Sequence, residues 1–160
     1  PDGLVAYGRG DRYVIDLYRP DPWRLVASLR RTIPPLAVTE ADREAYRERY
    51  QGPSIPEATR KRYADILATV TYPEMWPAYD DVRFDATGRL WVRRPVHPPD
   101  SLVPWDVFDA GGTYFGEVTS PRNLQIRLIE AHAVYGVTRD EFDVPSVVRY
   151  RIEAPATTGR

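Results

Sequence analysis

The stretch Asp80–Ser120 reads DDVRFDATGRLWVRRPVHPPDSLVPWDVFDAGGTYFGEVTS. Its apolar residues recur at every second position in short runs bounded by Gly, Pro and Asp, a pattern typical of strands joined by hairpins. It predicts one antiparallel sheet of four strands: Val82–Asp85, Arg89–Arg94, Trp105–Asp109 and Tyr114–Thr119. Two short turns, Ala86-Thr87-Gly88 and Ala110-Gly111-Gly112, and a proline-rich connection, Pro95–Pro104, join these strands.

Similar patterns flank this stretch on both sides. The preceding residues predict strands at Leu4–Tyr7, Tyr13–Tyr18 and Leu25–Arg30, and the following residues predict strands at Leu124–Ile129, Ala133–Thr138 and Ser146–Ile152. The small, polar tail Ala154–Arg160 is expected to fray. The chain is therefore predicted to be mainly β and antiparallel.

A helical hairpin is predicted between the first two groups of strands. Thr39 is typical of a helix N-cap, and Gly52-Pro53 is typical of a helix end. Ser54 and Glu57 have the spacing of a capping box for a second helix. That helix carries an apolar stripe expected to lie on a core, formed by Tyr63, Ile66, Leu67 and Val70.

Composition limits the classes of function. The formal net charge is −1, which does not favour a general binder of nucleic acid or of membrane surfaces. There is no cysteine, so disulfides and cysteine metal sites are excluded, and no apolar run is long enough for a membrane span. Lys61 is the only lysine, so the basic residues are almost all arginine. That bias fits either phosphate recognition or codon usage.

The chain also contains an internal repeat. The acid–aliphatic–aromatic run Asp16–Asp21 parallels Asp106–Gly111, and in both cases a turn and a further strand follow. Val148–Arg151 is expected to take the third-strand position of a last unit. The spacing of roughly 40 residues or more is in the range of propeller blades.

The repeated motifs resemble those of a known group. Tyr79–Val92 resembles the D-x-x-G-x-L-W-V hairpin of bacterial six-bladed β-propellers of the NHL-like or TolB-like kind, and Trp105–Gly112 resembles the third strand and turn of such a blade. The last strands of the group are similar to Val134–Val137, Asp140–Val144 and Val147–Ile152. The resemblance covers roughly 1–33 and 77–153. It implies a protein that is often exported or periplasmic and mostly without an assigned function.

Two features depart from that group. The chain holds only two blades and part of a third, too few to close a six-bladed ring, and a helical hairpin is not part of a generic blade. The division expected is a partial blade at 1–33, the helical insertion at 34–76, a blade at 77–122, a final partial blade at 123–153 and a disordered tail at 154–160. Because Pro1-Asp2-Gly3 is typical of a turn between strands, the chain is expected to be a C-terminal fragment of a protein with further N-terminal blades.

Carboxylates are the first candidates for a site. Asp80, Asp81 and Asp106 could hold calcium near a propeller axis, as in propeller lactonases, or could serve as turn formers and structural groups. Asp85 and Asp109 directly precede turns, which favours the structural interpretation. The acidic run Asp140, Glu141 and Asp143 does not match a calcium loop and is interpreted as a solvated connection.

Aromatic residues and histidines are the second set of candidates. Trp91 and Trp105 occupy strand positions and are predicted to be core residues, whereas Trp76 is predicted to be partly exposed and is the candidate for ligand binding. His97 and His132 lack the spacing of a zinc site and are interpreted as surface or turn histidines.

The sequence carries no nucleophile elbow, P-loop or dinucleotide-binding glycine pattern. The leading hypothesis is a non-catalytic binding or interaction segment of a six-bladed β-propeller, with a protein or small-molecule ligand on one propeller face. It requires no cofactor, and neither nucleic acid nor a membrane is expected as a partner. The alternative is a lactonase-like propeller hydrolase with calcium held by axial carboxylates.

Overall fold

A computed structural model describes residues 3–53 and 55–153. Within them the chain forms ten strands and two helices. In chain order these are β1 (Val5–Tyr7), β2 (Val14–Pro20), β3 (Trp23–Arg30), α1 (Glu40–Gln51), α2 (Glu57–Thr69), β4 (Asp81–Phe84), β5 (Leu90–Arg93), β6 (Leu102–Phe108), β7 (Tyr114–Pro121), β8 (Gln125–Ile129), β9 (Ala133–Arg139) and β10 (Pro145–Arg151). The prediction of a mainly β, antiparallel chain with two helices is confirmed. The predicted tail Ala154–Arg160 lies outside the described residues.

The strands form three antiparallel sheets in which neighbours along the chain are also neighbours in space. Sheet I has the order β1-β2-β3, sheet II has the order β4-β5-β6-β7, and sheet III has the order β8-β9-β10. The four strands predicted from Asp80–Ser120 are all present in sheet II. Sheet II is thus the four-stranded unit that the sequence predicts, and it lies between two three-stranded sheets along the chain.

Strand β6 begins earlier than predicted, because Pro104 does not interrupt it. Pro104 pairs with Thr119 of β7, and its carbonyl accepts a hydrogen bond from the Arg94 amide at 3.0 Å. Strand β5 ends at Arg93, so the position where Pro104 lacks an N–H lies just beyond the paired part of β5 and β6. Only one hydrogen bond is lost there, at the end of the strand pair. The prediction that the proline-rich connection reaches Pro104 was therefore wrong.

Both faces of the central strands of sheet II, β5 and β6, are largely buried. Leu90 and Val92 pack in a cluster with Ile15 and Leu17 of sheet I. Trp91, between them in β5, points to the opposite face and packs in a second cluster, which it shares with Trp105, Val107, Leu124, Ile126, Ile129 and Val134. Trp91 and Trp105 are each 2% exposed, which confirms their prediction as core residues. The alternation along β5 therefore joins three sheets into one stack, with sheet II in the middle.

The internal repeat coincides with a shared irregularity. Strand β2 has a register shift between Leu17 and Tyr18, and strand β6 has one between Val107 and Phe108. These pairs occupy the same positions in the two aligned runs of the sequence. A bulge increases the local twist of a strand. The two sheets therefore deviate from regular pairing at equivalent places.

Three hairpins share one loop design. Asp85, Asp109 and Asp140 each accept hydrogen bonds from the backbone amides two and four residues further along, at 2.8–2.9 Å. The residue three positions after each aspartate has a positive φ: Gly88 at 85°, Gly112 at 87° and Asp143 at 63°. The structure confirms Asp85 and Asp109 as turn formers. The acidic run that begins at Asp140 is exposed, as predicted.

Helix α1 begins and ends as the sequence predicts. Thr39 is its N-cap and forms a capping box with Asp42, and Gly52 follows its last residue. Helix α2 has Pro56 as its N-cap and lacks a side-chain cap; Ser54, the predicted cap, lies outside the described residues.

The prediction that the stripe on α2 lies on a core was wrong. No residue of α2 is buried, and Ile66 is 53% exposed. The reason is that α2 packs on α1, where the rings of Tyr50 and Tyr63 lie 5.1 Å apart between centroids, rather than on a sheet. Two helices alone provide too little apolar area to bury such a stripe.

Candidate functional site

The two ends of the helical insertion are joined by backbone hydrogen bonds. The Trp76 amide donates to the Leu36 carbonyl at 2.8 Å, and the Val38 amide donates to the Glu74 carbonyl at 2.8 Å. Directly after this clasp, the Ala78 amide donates to the Gly10 carbonyl at 2.7 Å, which attaches the chain to the loop before β2. Trp76 therefore lies where the insertion meets the sheets, and its position is fixed by its own backbone.

Trp76 lines three neighbouring cavities, which together we call the Trp76 cleft. The sheet cavity, of about 470 Å³, is also lined by Tyr13, Arg31 and Arg94. The arginine cavity, of about 350 Å³, is lined by four arginines and by Asp80. The helix cavity, of about 270 Å³, lies against α1 at Asp42 and Tyr46. The side chain predicted from sequence to be a partly exposed binding residue is half-buried at the junction of these spaces.

The arginine cavity is rich in guanidinium groups. Its arginines are Arg49, Arg93, Arg94 and Arg122. Arg93 Nε lies 2.6 Å from Asp80 Oδ1, and Arg94 pairs with Glu117. The rest of the lining includes four apolar side chains, those of Trp76, Pro95, Val96 and Val103. The cavity therefore offers both guanidinium groups for an anion and apolar side chains for a flat or apolar group.

Asp106 is fully buried between sheets I and II. Its carboxylate accepts a hydrogen bond from the Tyr13 hydroxyl at 2.6 Å, forms an ion pair with Arg31, and lies 3.3 Å from Arg94 Nε. Burial, together with the Asp106 carboxylate, raises the pKa of Tyr13, so the phenol remains a donor at neutral pH. Asp106 thus links two sheets and fixes two arginines at the edge of the sheet cavity.

The other two predicted metal candidates are also paired with arginines. Asp80 pairs with Arg93, as described above, and Asp81 pairs with Arg83 at 2.9 Å. No group of three or more His, Asp or Glu side chains in 3–53 and 55–153 is arranged to hold a metal ion. A cation at Asp106 would have to compete with guanidinium groups for the same carboxylate oxygens.

A pairing that sequence reasoning missed lies at the helix cavity. Asp42, which is 6% exposed, accepts hydrogen bonds from the Thr39 amide at 2.7 Å and hydroxyl at 2.8 Å, and it lies 2.9 Å from His97 Nδ1. Burial by itself raises the pKa of Asp42, but the hydrogen bonds from Thr39 and His97 hold it below its usual value. The Trp76 indole N–H faces this carboxylate without a hydrogen bond of normal geometry to any described residue.

The Asp42–His97 pair connects the insertion with the proline-rich loop. His97 lies at a turn, as predicted, where its carbonyl accepts from the Asp100 amide at 2.9 Å. Because Asp42 is an acceptor, the neutral imidazole carries its proton on Nδ1 and leaves Nε2 as an acceptor. In the described part of the chain, no hydroxyl is hydrogen-bonded to His97. The contact is of the aspartate–histidine kind found in nucleophilic triads, without a hydroxyl on the histidine among the described residues. His132 lies at an exposed bend.

Comparison with models of protein families, with curated proteins and with solved structures gave no match for this chain. Among the described residues, neither helix has the length and apolar character that a membrane crossing requires.

Proposed function

We propose that the chain is a non-catalytic binding segment of a β-propeller-type protein and that its ligand binds in the Trp76 cleft. The observation that carries the proposal is the position of Trp76, which borders three cavities at the junction of the insertion and the sheets. Binding sites commonly combine apolar and aromatic walls with a few oriented polar groups. The Trp76 cleft has both, because Asp42, Arg93 and Arg94 line the same cavities as Trp76.

The stacking of the sheets supports the propeller part of this proposal. In a propeller, each blade is covered on both faces by its neighbours, and sheet II is covered in this way. The outer face of sheet I carries apolar side chains such as Tyr7, which is 59% exposed, and Leu25, which is 55% exposed. Asp16 lies on the same outer face, and its equivalent in the repeat is Asp106. Asp106 is covered by sheet I, so the repeat predicts that another sheet covers Asp16. Further sheets of the same protein are accordingly proposed as partners of sheet I.

The chemistry of the candidate carboxylates supports a non-catalytic role. A general base must be free to accept a proton, and a calcium ligand must be free to coordinate. Asp80, Asp81 and Asp106 are instead each held by at least one arginine. A lactonase-like reaction at these residues would require the arginines to leave first.

The proposal can be tested by screening small organic fragments with ¹H–¹⁵N spectra of the 160-residue chain. The four tryptophans give four indole N–H signals, and Trp76→Phe identifies one of them. Trp105 is the matched control, because its indole N–H is buried and donates to Ser120 Oγ at 3.0 Å. Bound fragments are expected to shift the Trp76 signal and to leave the Trp105 signal unchanged. Hits that map away from Trp76 would contradict the proposed site.

Hydrolysis assays with aryl esters and lactones, with and without calcium, test the non-catalytic part. No turnover above background is expected. Calcium-dependent turnover that Asp106→Asn abolishes, in a variant that stays folded, would overturn it in favour of the hydrolase.

A further inference from the structure

We propose that the arginine cavity binds a small organic phosphate monoester with a flat ring. This inference rests on the proposed function, because it names a ligand class for one part of the Trp76 cleft. It follows from three features of the cavity: the charge that its arginines leave uncompensated, the guanidinium donors without an acceptor among the described residues, and the apolar side chains in the same lining.

The first feature is an excess of positive charge. Two of the four guanidinium groups have carboxylate partners, since Arg93 pairs with Asp80, and Arg94 pairs with Glu117. The other two, Arg49 and Arg122, have no carboxylate of the described residues within 4.0 Å. Two positive charges therefore remain at the rim. A phosphate monoester carries roughly −1.5 to −2 at pH 7 and matches them better than a single carboxylate does.

The second feature is the orientation of Arg122. Its Nη1 donates to the backbone carbonyls of His97 at 3.0 Å and Asp100 at 3.3 Å. Carbonyl oxygens fix the guanidinium plane without neutralising its charge. Among residues 3–53 and 55–153, no acceptor is hydrogen-bonded to Nη2 or Nε of Arg122. These two groups form a planar fork of donors, which suits two oxygens of one phosphate.

The third feature is the apolar part of the lining. It consists of Trp76, Pro95, Val96 and Val103, of which Val103 is buried. An aromatic ring on the ligand can stack on the indole of Trp76 while its phosphate reaches the arginines. The cavity volume of about 350 Å³ is close to the lower end of the range for small-molecule sites. It suits a compact monoester rather than a polyanion such as nucleic acid, in agreement with the net charge of −1.

The test is titration calorimetry of the 160-residue chain with phenyl phosphate, together with phenol, benzoate and inorganic phosphate as comparison probes. Phenyl phosphate is expected to bind most tightly and to weaken as the salt concentration rises, because the exposed arginines are screened. Arg122→Gln is expected to weaken phenyl phosphate binding about tenfold or more, since a charge-assisted, bidentate contact is lost. Arg49→Gln should weaken binding in the same direction and keeps the test valid if Arg122→Gln unfolds.

Arg127→Gln is the matched control. Arg127 is exposed and donates only to Gln125 among the described residues, so this variant changes the net charge equally but lies outside the arginine cavity. Its affinity for phenyl phosphate is expected to be unchanged. An equal loss in Arg127→Gln and Arg122→Gln would mean nonspecific charge attraction and would overturn the inference.

The comparison probes separate the failure of this inference from the failure of the proposed function. If benzoate binds as tightly as phenyl phosphate, or phenol binds equally well, the phosphate assignment is wrong while the Trp76 cleft stands as a binding site. If no probe binds and fragments also leave the Trp76 indole signal unchanged, the proposed function fails as well.

Discussion

Replacement of Asp106 by asparagine tests whether a buried carboxylate holds sheets I and II together. The side chain of Asp106 is 0% exposed, whereas those of Arg31 and Arg94 are 30% and 25% exposed. Removing one partner of a buried ion pair typically costs about 3–5 kcal/mol, because the remaining charge loses its compensation. Both arginines can turn partly towards water, so we expect Asp106→Asn to lose about 3 kcal/mol, near the lower limit.

Urea unfolding of the parent chain and of matched variants measures this loss. Tyr13→Phe removes one donor, the hydroxyl that lies 2.6 Å from Asp106, and is expected to cost about 1.5–3 kcal/mol as a hydrogen bond to a charged group. Asp81→Asn breaks a partly exposed pair with Arg83 and is expected to cost no more than about 1 kcal/mol. If Asp106→Asn costs no more than Asp81→Asn at an unchanged m-value, the reasoning about burial is refuted.

Two further predictions concern the shared hairpin loops. Burial alone raises the pKa of Asp85, but the hydrogen bonds that the carboxylate accepts hold the pKa below its usual value. The ionised Asp85 therefore stabilises the fold above about pH 4, and this stabilisation is lost as the pH falls through the folded-state pKa. The difference in unfolding free energy between the parent and Asp85→Asn should therefore shrink on acidification below about pH 4, and a difference independent of pH would contradict this. Asp143→Gly should stabilise the chain by about 0.5 kcal/mol, because φ is 63° at this position and glycine adopts a positive φ without strain. Gly88→Ala should destabilise it by about 1–2 kcal/mol, because φ is 85° there, although no atom lies close to the added Cβ. Thermal unfolding measures the stability change of both variants. If both variants stabilise or both destabilise the chain, the claim that the two loops share one backbone geometry is refuted.

The parts of the fold that were predicted from sequence are those determined locally. The loop that begins at Asp85 is contained in a few residues, and the alternation Leu90-Trp91-Val92 by itself places apolar side chains on both faces of β5. The N-cap at Thr39 is equally local. Such features need no knowledge of distant residues, and each of them agrees with the structure.

The parts that were missed depend on distant residues. Asp42 and His97 are 55 positions apart, and no periodicity or motif connects a helix N-terminus with a proline-rich loop. The prediction that the stripe on α2 is buried failed for a related reason. Amphipathic spacing shows that a helix has an apolar face, but it does not show which other element covers that face. Pro104 was misjudged because its tolerance depends on where β5 ends, which is itself a result of strand pairing.

The location of the candidate site follows from the fact that most polar and apolar groups of the sheets already have partners within the fold. The faces of sheet II are filled by two apolar clusters, its turn aspartates are saturated by backbone amides, and Asp106 is held by arginines. Groups that are satisfied in this way are poorly suited to bind a ligand, since binding would first have to break existing contacts. The insertion adds Trp76 and Arg49 without disturbing the stack, because the clasp between Leu36 and Trp76 closes it at its base. If the proposed ligand binds here, we expect its specificity to depend on the insertion and the proline-rich loop, which meet on the surface of the sheets.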